Sequence, residues 1–538
     1  MTPLWLALSA PSLPIEVFLR GIQPVPADHA KAADPARAGD RTVPDDPAGP
    51  PDGTPVAVCA HQHVLLANAA AQALGVRPGI RRATALALAP TVRLLERNPA
   101  REDLALQQLA CWAGQFTPSV SLQPSRAPEG RSTPHLPHDP AGLLLEIAPS
   151  LTLFGGLDAL LSRVDTGAAA LGFSVRTACA PTPSGAWLLS LQHTGLRAMT
   201  LEQLAPLLQS LPIGLLPSAR AHTATLDSIG ARTLGDLLRL PRAGLARRFG
   251  KALLLELDQA FGQQPEPRRW FEPPERFDSR LELLAQVEVA EALLFAAQRL
   301  VLELAGWLSA RHAAVRRIDL LGEHDEQPPT CVTLRLSDAT RDPARIIGLL
   351  RERLASLRLP APVHTVRLHC DEVVSLSAQT EALFPSPAQT RESLNRLIER
   401  LQARLGPEHV QRLLLVADHR PEVASRTQPV DQRGLPPGPG SGSGSGSGPV
   451  IAGALPRPLW LLPSPIALQE RNNRPYWHGP LTLLAGPERI ESGWWDSRLI
   501  QRDYFIASDD SDMLLWIYRE RLPAADSRQG WFVQGKFG

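Results

Sequence analysis

The chain has 538 residues, 44% hydrophobic and 20% charged, with a net charge of only +1; it can bury about three to five domain cores, and any nucleic-acid surface must be local rather than global. Its five cysteines (Cys59, Cys111, Cys179, Cys331, Cys370) are scattered without close pairs, which argues against a zinc module and gives no disulfide framework. With no apolar run of about eighteen residues and no basic-then-apolar amino terminus, the expectation is a cytoplasmic, multidomain protein.

The first predicted strand is Leu4-Trp5-Leu6-Ala7-Leu8-Ser9, followed by a short helix around Ile15 to Gly21. Residues 23–54 are rich in Pro, Ala and Asp and read as an inserted loop. Pro55 to Cys59 gives a compact strand. Residues 71–90, AQALGVRPGIRRATALALAP, read as a helix stopped at Gly75, a turn at Pro78-Gly79 and a second helix up to Pro90. A second polar insertion, 124–139, precedes the strand Ala141-Gly142-Leu143-Leu144-Leu145-Glu146-Ile147. After Leu151-Thr152-Leu153-Phe154-Gly155-Gly156 a helical pattern continues to Gly172.

From Leu211 to Gly262 the pattern is helical. Residues 226–238, LDSIGARTLGDLL, read as a helix-hairpin-helix with Ile229 and Gly230 in the hairpin and Thr233 opening the second helix. Such a hairpin can offer backbone N–H groups and a helix N-terminus to a DNA phosphate, with Arg232 beside it. Arg242, Arg247, Arg248 and Lys251 follow with no acid between the first and the last. They are either phosphate contacts or a solvated helix face. Leu281 to Leu376 reads as an α/β unit: a helix from about Ala290 to Arg311, then strands at Val315 to Leu321, Cys331 to Leu336 and Val363 to Cys370, with a helix between the last two. Alternation buries Val332, Leu334, Leu336, Val366 and Leu368, and turns Arg335, Arg367 and His369 outward.

Gln379-Thr380-Glu381-Ala382-Leu383-Phe384 then precedes Pro385. A helix-bearing segment, Gln389 to Val416, leads to a Pro/Gly/Ser stretch whose centre, Gly438 to Gly448, is Gly-Ser repeat and reads as a tether. Beyond it, Arg457 to Gly538 is rich in Trp and Tyr and reads as a small β-rich domain. Trp494, Trp495, Tyr504, Trp531 and Phe532 are of the residue types enriched at interaction hot spots, although some must form the core.

These segments resemble a Y-family DNA polymerase over nearly the whole chain apart from the insertions and the tether. The resemblance implies an α/β multidomain fold: a palm (1–22, 55–60 and 96–205, with insertions 23–54 and 124–139), fingers (61–95), a thumb with the helix-hairpin-helix (206–275) and a little finger (281–376). A clamp-binding peptide (379–384), a linker (421–456) and a C-terminal interaction module (457–538) complete it. The family holds its two catalytic metals on an acid of the first strand and on an Asp-Glu pair before the second. Those positions fall here on Ala7 or Ser9 and on Ala141-Gly142, and the family's triphosphate contacts fall on Ala69, Gln72 and Trp187. The chain is therefore expected to be no enzyme and to hold no metal or other cofactor.

The resemblance further implies that Ile229, Gly230, Arg232, Thr233, Arg242, Arg247, Arg248, Lys251, Arg335 and Arg367 hold primer-template DNA weakly. Gln379, Leu383 and Phe384 resemble the peptide that enters the groove of the bacterial β sliding clamp. The aromatic tail implies binding to a RecA-like partner and to an error-prone C-family polymerase, a DNA polymerase III alpha-type subunit. The expected role is a non-catalytic scaffold in SOS-induced translesion synthesis, placed at the replication fork in the nucleoid. Two rivals stay open: an active divergent polymerase using Glu16, Glu146 or Asp139 as substitute ligands, and a DNA-repair protein that binds through the hairpin alone.

Overall fold

The computed structural model describes residues 3–20, 54–125, 139–375, 387–430, 456–521 and 530–537. It forms two compact units, Met1–Glu392 and Ser393–Gly538.

The first unit is organised on β1 (Trp5–Ala10), which is followed by α1 (Leu13–Leu19). A small sheet comes next: β2 (Val56–Ala60), β3 (His63–Ala67), α2 (Ala69–Ala73), α3 (Arg82–Leu88) and β4 (Arg93–Glu96), with strand order β3-β2-β4. The predicted helix stop and turn are present, with Gly75 and Gly79 at φ +89° and +91°, values that favour glycine. The palm-like assignment of 55–60 needs correction. Those residues hydrogen-bond in the fingers-like sheet, while strand alternation sends Val56 and Val58 into the palm core and Ala57 and Cys59 into the fingers core.

The chain then adds α4 (Pro99–Ala113), β5 (Val120–Gln123), β6 (Ala141–Glu146), α5 (Leu151–Phe154), α6 (Leu157–Ala170), β7 (Arg176–Ala180), α7 (Pro183–Gln192) and β8 (Leu196–Arg197). The palm sheet has the order β5-β6-β1-β7-β8, with β1 antiparallel to both neighbours. Leu4, Leu6 and Leu8 pack into one core with α1, α4 and α6, while Trp5 and Ala7 pack into another with α7 and the thumb helices. Coverage on both faces explains why β1 reads as a continuous apolar run rather than an alternating one.

The thumb comprises α8 (Leu201–Gln209), α9 (Thr223–Ser228), α10 (Leu234–Arg239), α11 (Arg242–Phe249) and α12 (Lys251–Ala260). The little finger comprises β9 (Phe277–Val287), α13 (Leu293–Ala310), β10 (Ala313–Glu323), β11 (Thr330–Thr340), α14 (Pro343–Ala355), β12 (Val363–Cys370) and β13 (Val373–Ser375). Its sheet order is β11-β10-β12-β9, with β13 pairing β10. The strand β9 begins before the predicted boundary at 281. Helix α13 is apolar and long enough for a membrane span by length alone, but it is mostly buried and lies on the little-finger sheet and on α4. Gly306 lets it approach so closely that a Cβ there would sit 2.8 Å from the Trp112 Cα.

A buried hydrogen-bond chain crosses the same joint. Arg20 donates to the Leu171 carbonyl (3.0 Å) and to Gln108 (2.9 Å), Gln108 to Ser279 (2.7 Å), and Ser279 to Glu303 (2.8 Å). Burial pushes Glu303 up to about 7 against the pull of Arg20, and Glu16 likewise up to about 7.

The second unit contains most of α15 (Pro387–Leu405), the hairpin β14 (Gln411–Leu415) with β15 (Ser425–Pro429), and a seven-stranded antiparallel sheet. That sheet is built from β16 (Trp460–Arg471), β17 (Arg474–Trp477), β18 (Gly479–Pro480), β19 (Thr482–Ser492), β20 (Ile500–Ser508), β21 (Leu514–Glu520) and β22 (Trp531–Lys536), in the order β18-β17-β16-β22-β21-β20-β19. The linker expected over 421–456 is corrected at its start, since 425–429 is a paired strand. Arg420 is buried between Asp418 and Asp496, each 2.7 Å away, and its guanidinium lies over Trp495. Glu422 accepts from Arg502 and from Gln534, both at 3.0 Å. The C-terminal module therefore includes the chain before the Gly-Ser repeat as well as the chain after it.

Candidate functional site

The two strands expected to carry metal ligands do lie side by side. Ala7 stands opposite Leu144, Ser9 opposite Gly142, and Ala10 opposite Ala141. None of the four positions projects a carboxylate. Ala7 is fully buried, and the Ser9 hydroxyl donates to the Ser190 carbonyl of α7 at 3.2 Å. At Gly142 there is no room for any side chain: a Cβ would lie 2.1 Å from the Leu8 carbonyl oxygen and 2.7 Å from the Trp187 ring. Trp187 thus lies over β6, the strand expected to carry the acidic pair. The residues present do not fit a pair of divalent ions.

The substitute acids are dispersed. Glu16 lies half-buried on α1 and accepts from the Ser174 backbone at 3.0 Å. Asp139 is ion-paired with Arg220, and Glu146 ends β6 opposite Trp5. Ala69 and Gln72 are exposed on α2, where Gln72 donates to the Ala67 carbonyl at 2.6 Å.

The helix-hairpin-helix forms as its sequence predicts. Ile229 ends α9, Gly230 has φ +80°, and Thr233 caps α10 in a capping box with Asp236. Its expected role as an amide donor needs correction. The Arg232 and Thr233 amides donate to the Asp236 carboxylate (3.1 and 2.9 Å), and the Ile229, Gly230 and Ala231 amides donate to carbonyls of α9. A carboxylate already satisfies the donors a phosphate would need. Those donors, together with the Thr233 hydroxyl, hold Asp236 below the usual carboxylate range.

The basic residues fall into two groups. Arg232 is paired with Asp227 (2.8 Å), Arg242 holds Asp258 bidentately (2.9 and 2.6 Å), and Arg367 holds Asp278. Arg247, Arg248, Lys251 and Arg335 are exposed and make no ion pair among the described residues. Arg280, which the sequence reading did not single out, is also exposed on the outer face of β9; its signal was the alternation of Asp278, Arg280 and Glu282.

In the second unit Trp494 and Trp495 are 77% and 54% exposed, whereas Tyr504 and Trp531 are buried. The last two are corrected from contact residues to core, Tyr504 stacking on Trp516 at 4.2 Å and donating to Gln534 at 2.6 Å. Phe532 is partly buried on Tyr518. Gln379, Leu383 and Phe384 lie outside the described residues.

A profile of the impB/mucB/samB family matches residues 51–125. Protein ImuB of Caulobacter vibrioides is 28% identical over 479 residues, an alignment covering 86% of this chain and 100% of that protein. The chain is similar to ImuB over most of its length. DNA polymerase IV of Yersinia pestis is 28% identical over 192 residues, covering 35% of this chain and 50% of that enzyme. Alignment to ImuB therefore continues well beyond the stretch shared with the polymerase. Among solved structures, a Dbh ternary complex and DinB from Sulfolobus solfataricus align with 69% of the chain at 16% and 14% identity, with TM-scores of 0.33 and 0.32.

Proposed function

We propose that the chain is a non-catalytic Y-family homologue that acts as a clamp- and DNA-binding scaffold in translesion synthesis and mutagenesis. The observation that carries this reading is the packing of Trp187 and the Leu8 carbonyl against Gly142, in a chain that aligns with the whole of an ImuB protein. Nucleotidyl transfer needs two divalent ions held by carboxylates. Here the positions that would supply them carry no acid, and one of them has no space for any. The exposed Arg247, Arg248, Lys251, Arg280 and Arg335 remain to meet DNA phosphates, giving a weak, salt-sensitive grip.

In this reading Gln379, Leu383 and Phe384 attach the chain to the β sliding clamp. The exposed Trp494-Trp495 pair serves the C-terminal unit in binding the RecA-like ImuA and an error-prone C-family polymerase, the DNA polymerase III alpha-type subunit. Attachment converts recruitment into a near-intramolecular event at roughly millimolar effective concentration. The work takes place in the cytoplasm at the replication fork during the SOS response, with catalysis supplied in trans.

The deciding experiment is primer extension by the purified chain with Mg²⁺ or Mn²⁺. No extension is expected, and extension would establish the divergent-polymerase rival. Replacing Gln379, Leu383 and Phe384 with Ala is expected to abolish damage-induced mutagenesis; unchanged mutagenesis would favour a protein that uses its DNA-binding surface alone.

A further inference from the structure

The open face of the little-finger sheet is arranged in cross-strand rows. Thr333, Asp319, His369 and Asp278 stand opposite one another across β11, β10, β12 and β9. On one side of this row lie Arg335 and Arg317, and on the other Cys331, Leu321, Arg367 and Arg280. A row holding two carboxylates thus runs between two rows that carry arginines, and the guanidiniums of Arg317 and Arg367 are drawn onto it, while Glu323 and Glu282 stand one row farther on. Arg367 grips Asp278 through Nε (2.6 Å) and Nη2, and Arg317 lies 3.0 Å from Asp319, which also accepts from Thr333 at 2.5 Å. His369 is turned to Asp371 at 2.9 Å.

We infer that Asp278 and Asp319 are built-in competitors for DNA phosphate, which hold Arg367 and Arg317 away from the backbone and keep the little finger's grip weak. The inference rests on the reading that thumb and little finger hold DNA. Its physical basis is that a phosphate approaching either guanidinium must displace an existing charge-assisted pair and then lie beside the abandoned carboxylate. Arg280 and Arg335, at the edges of the grid, are left as direct contacts. The two acids set affinity through the number of phosphates that can be neutralised at once.

The test is fluorescence anisotropy of a labelled primer-template duplex against the full chain, across a salt series. Asp278→Asn with Asp319→Asn keeps the shape and hydrogen-bonding capacity of both side chains while removing their charge. The double variant is expected to bind about tenfold tighter, with the slope of log K against log salt steeper by about 0.9 per freed guanidinium. Adding Arg317→Gln and Arg367→Gln should remove the gain. If the double variant keeps wild-type affinity and slope, or the gain survives loss of both arginines, the competitor role is overturned. Arg248→Gln with Lys251→Gln separates the two readings. Weaker binding by this thumb variant, alongside an inert acid pair, overturns only the competitor role. A wild-type chain that binds no duplex, and whose binding no variant alters, overturns the DNA-holding reading itself.

Discussion

Gly142 has no space for a side chain between the β1 backbone and Trp187, and a substitution there should be costly. Gly142→Ala should cost about 3 kcal/mol in denaturant unfolding, because the new methyl meets a backbone carbonyl as well as a ring edge. Restoring acids with Ala7→Asp and Gly142→Asp should give an unstable chain and no primer extension. A second residue-scale prediction concerns Glu303. Glu303 and Glu16, each pushed up to about 7 by burial, keep their protons in the folded state after the unfolded chain has released them. Their stabilisation is full below the ordinary carboxylate range and is lost as pH rises through about 7. Unfolding free energy should fall on the order of 2–3 kcal/mol per group across that window, and Glu303→Gln should remove its share of the slope in pH-dependent thermal melts.

At the scale of elements, the hairpin of the thumb shows how much a sequence can say and where it stops. Gly230 and Thr233 marked the turn and the cap, and α9 and α10 form around them. Thr233→Ala should lower thermal stability by about 1 kcal/mol through loss of that cap. What the sequence could not convey was that Asp236 folds back onto the Arg232 and Thr233 amides, since the same acid could equally have faced solvent. The little finger was legible from alternation in β11 and β12, where Val332, Leu334, Val366 and Leu368 are all buried. The pairing of Arg367 with Asp278 was not, because those residues are far apart in sequence and meet only through the register of β12 against β9. In the tail, aromatic residues announced a β-rich domain but not which of them face outward. Burial of Tyr504 and Trp531 and exposure of Trp494 and Trp495 depend on strand order and on the loop after β19.

For the whole molecule, the division into two units changes what the Gly-Ser repeat connects. Val430 and Pro456, the described residues on either side of it, both belong to the second unit, and the salt bridges of Arg420 and Arg502 join the hairpin to the sheet across that gap. Deleting residues 440–448 should therefore shift the stability of this unit by less than about 0.6 kcal/mol, the loop-closure difference for a full halving of the connection between Val430 and Pro456, with partner capture unchanged. A melt of the full chain together with a pulldown would show it. The pairing of Trp187 with Gly142 has a consequence on the evolutionary scale. A larger residue at 142 requires a smaller one at 187 and a moved β1 backbone, while a smaller residue at 187 first leaves a void costing roughly 2 kcal/mol. Neither position can drift alone without passing through a poorly folded intermediate, so the two act as a ratchet, and single-step mutation offers this chain no downhill route to an acid at position 142.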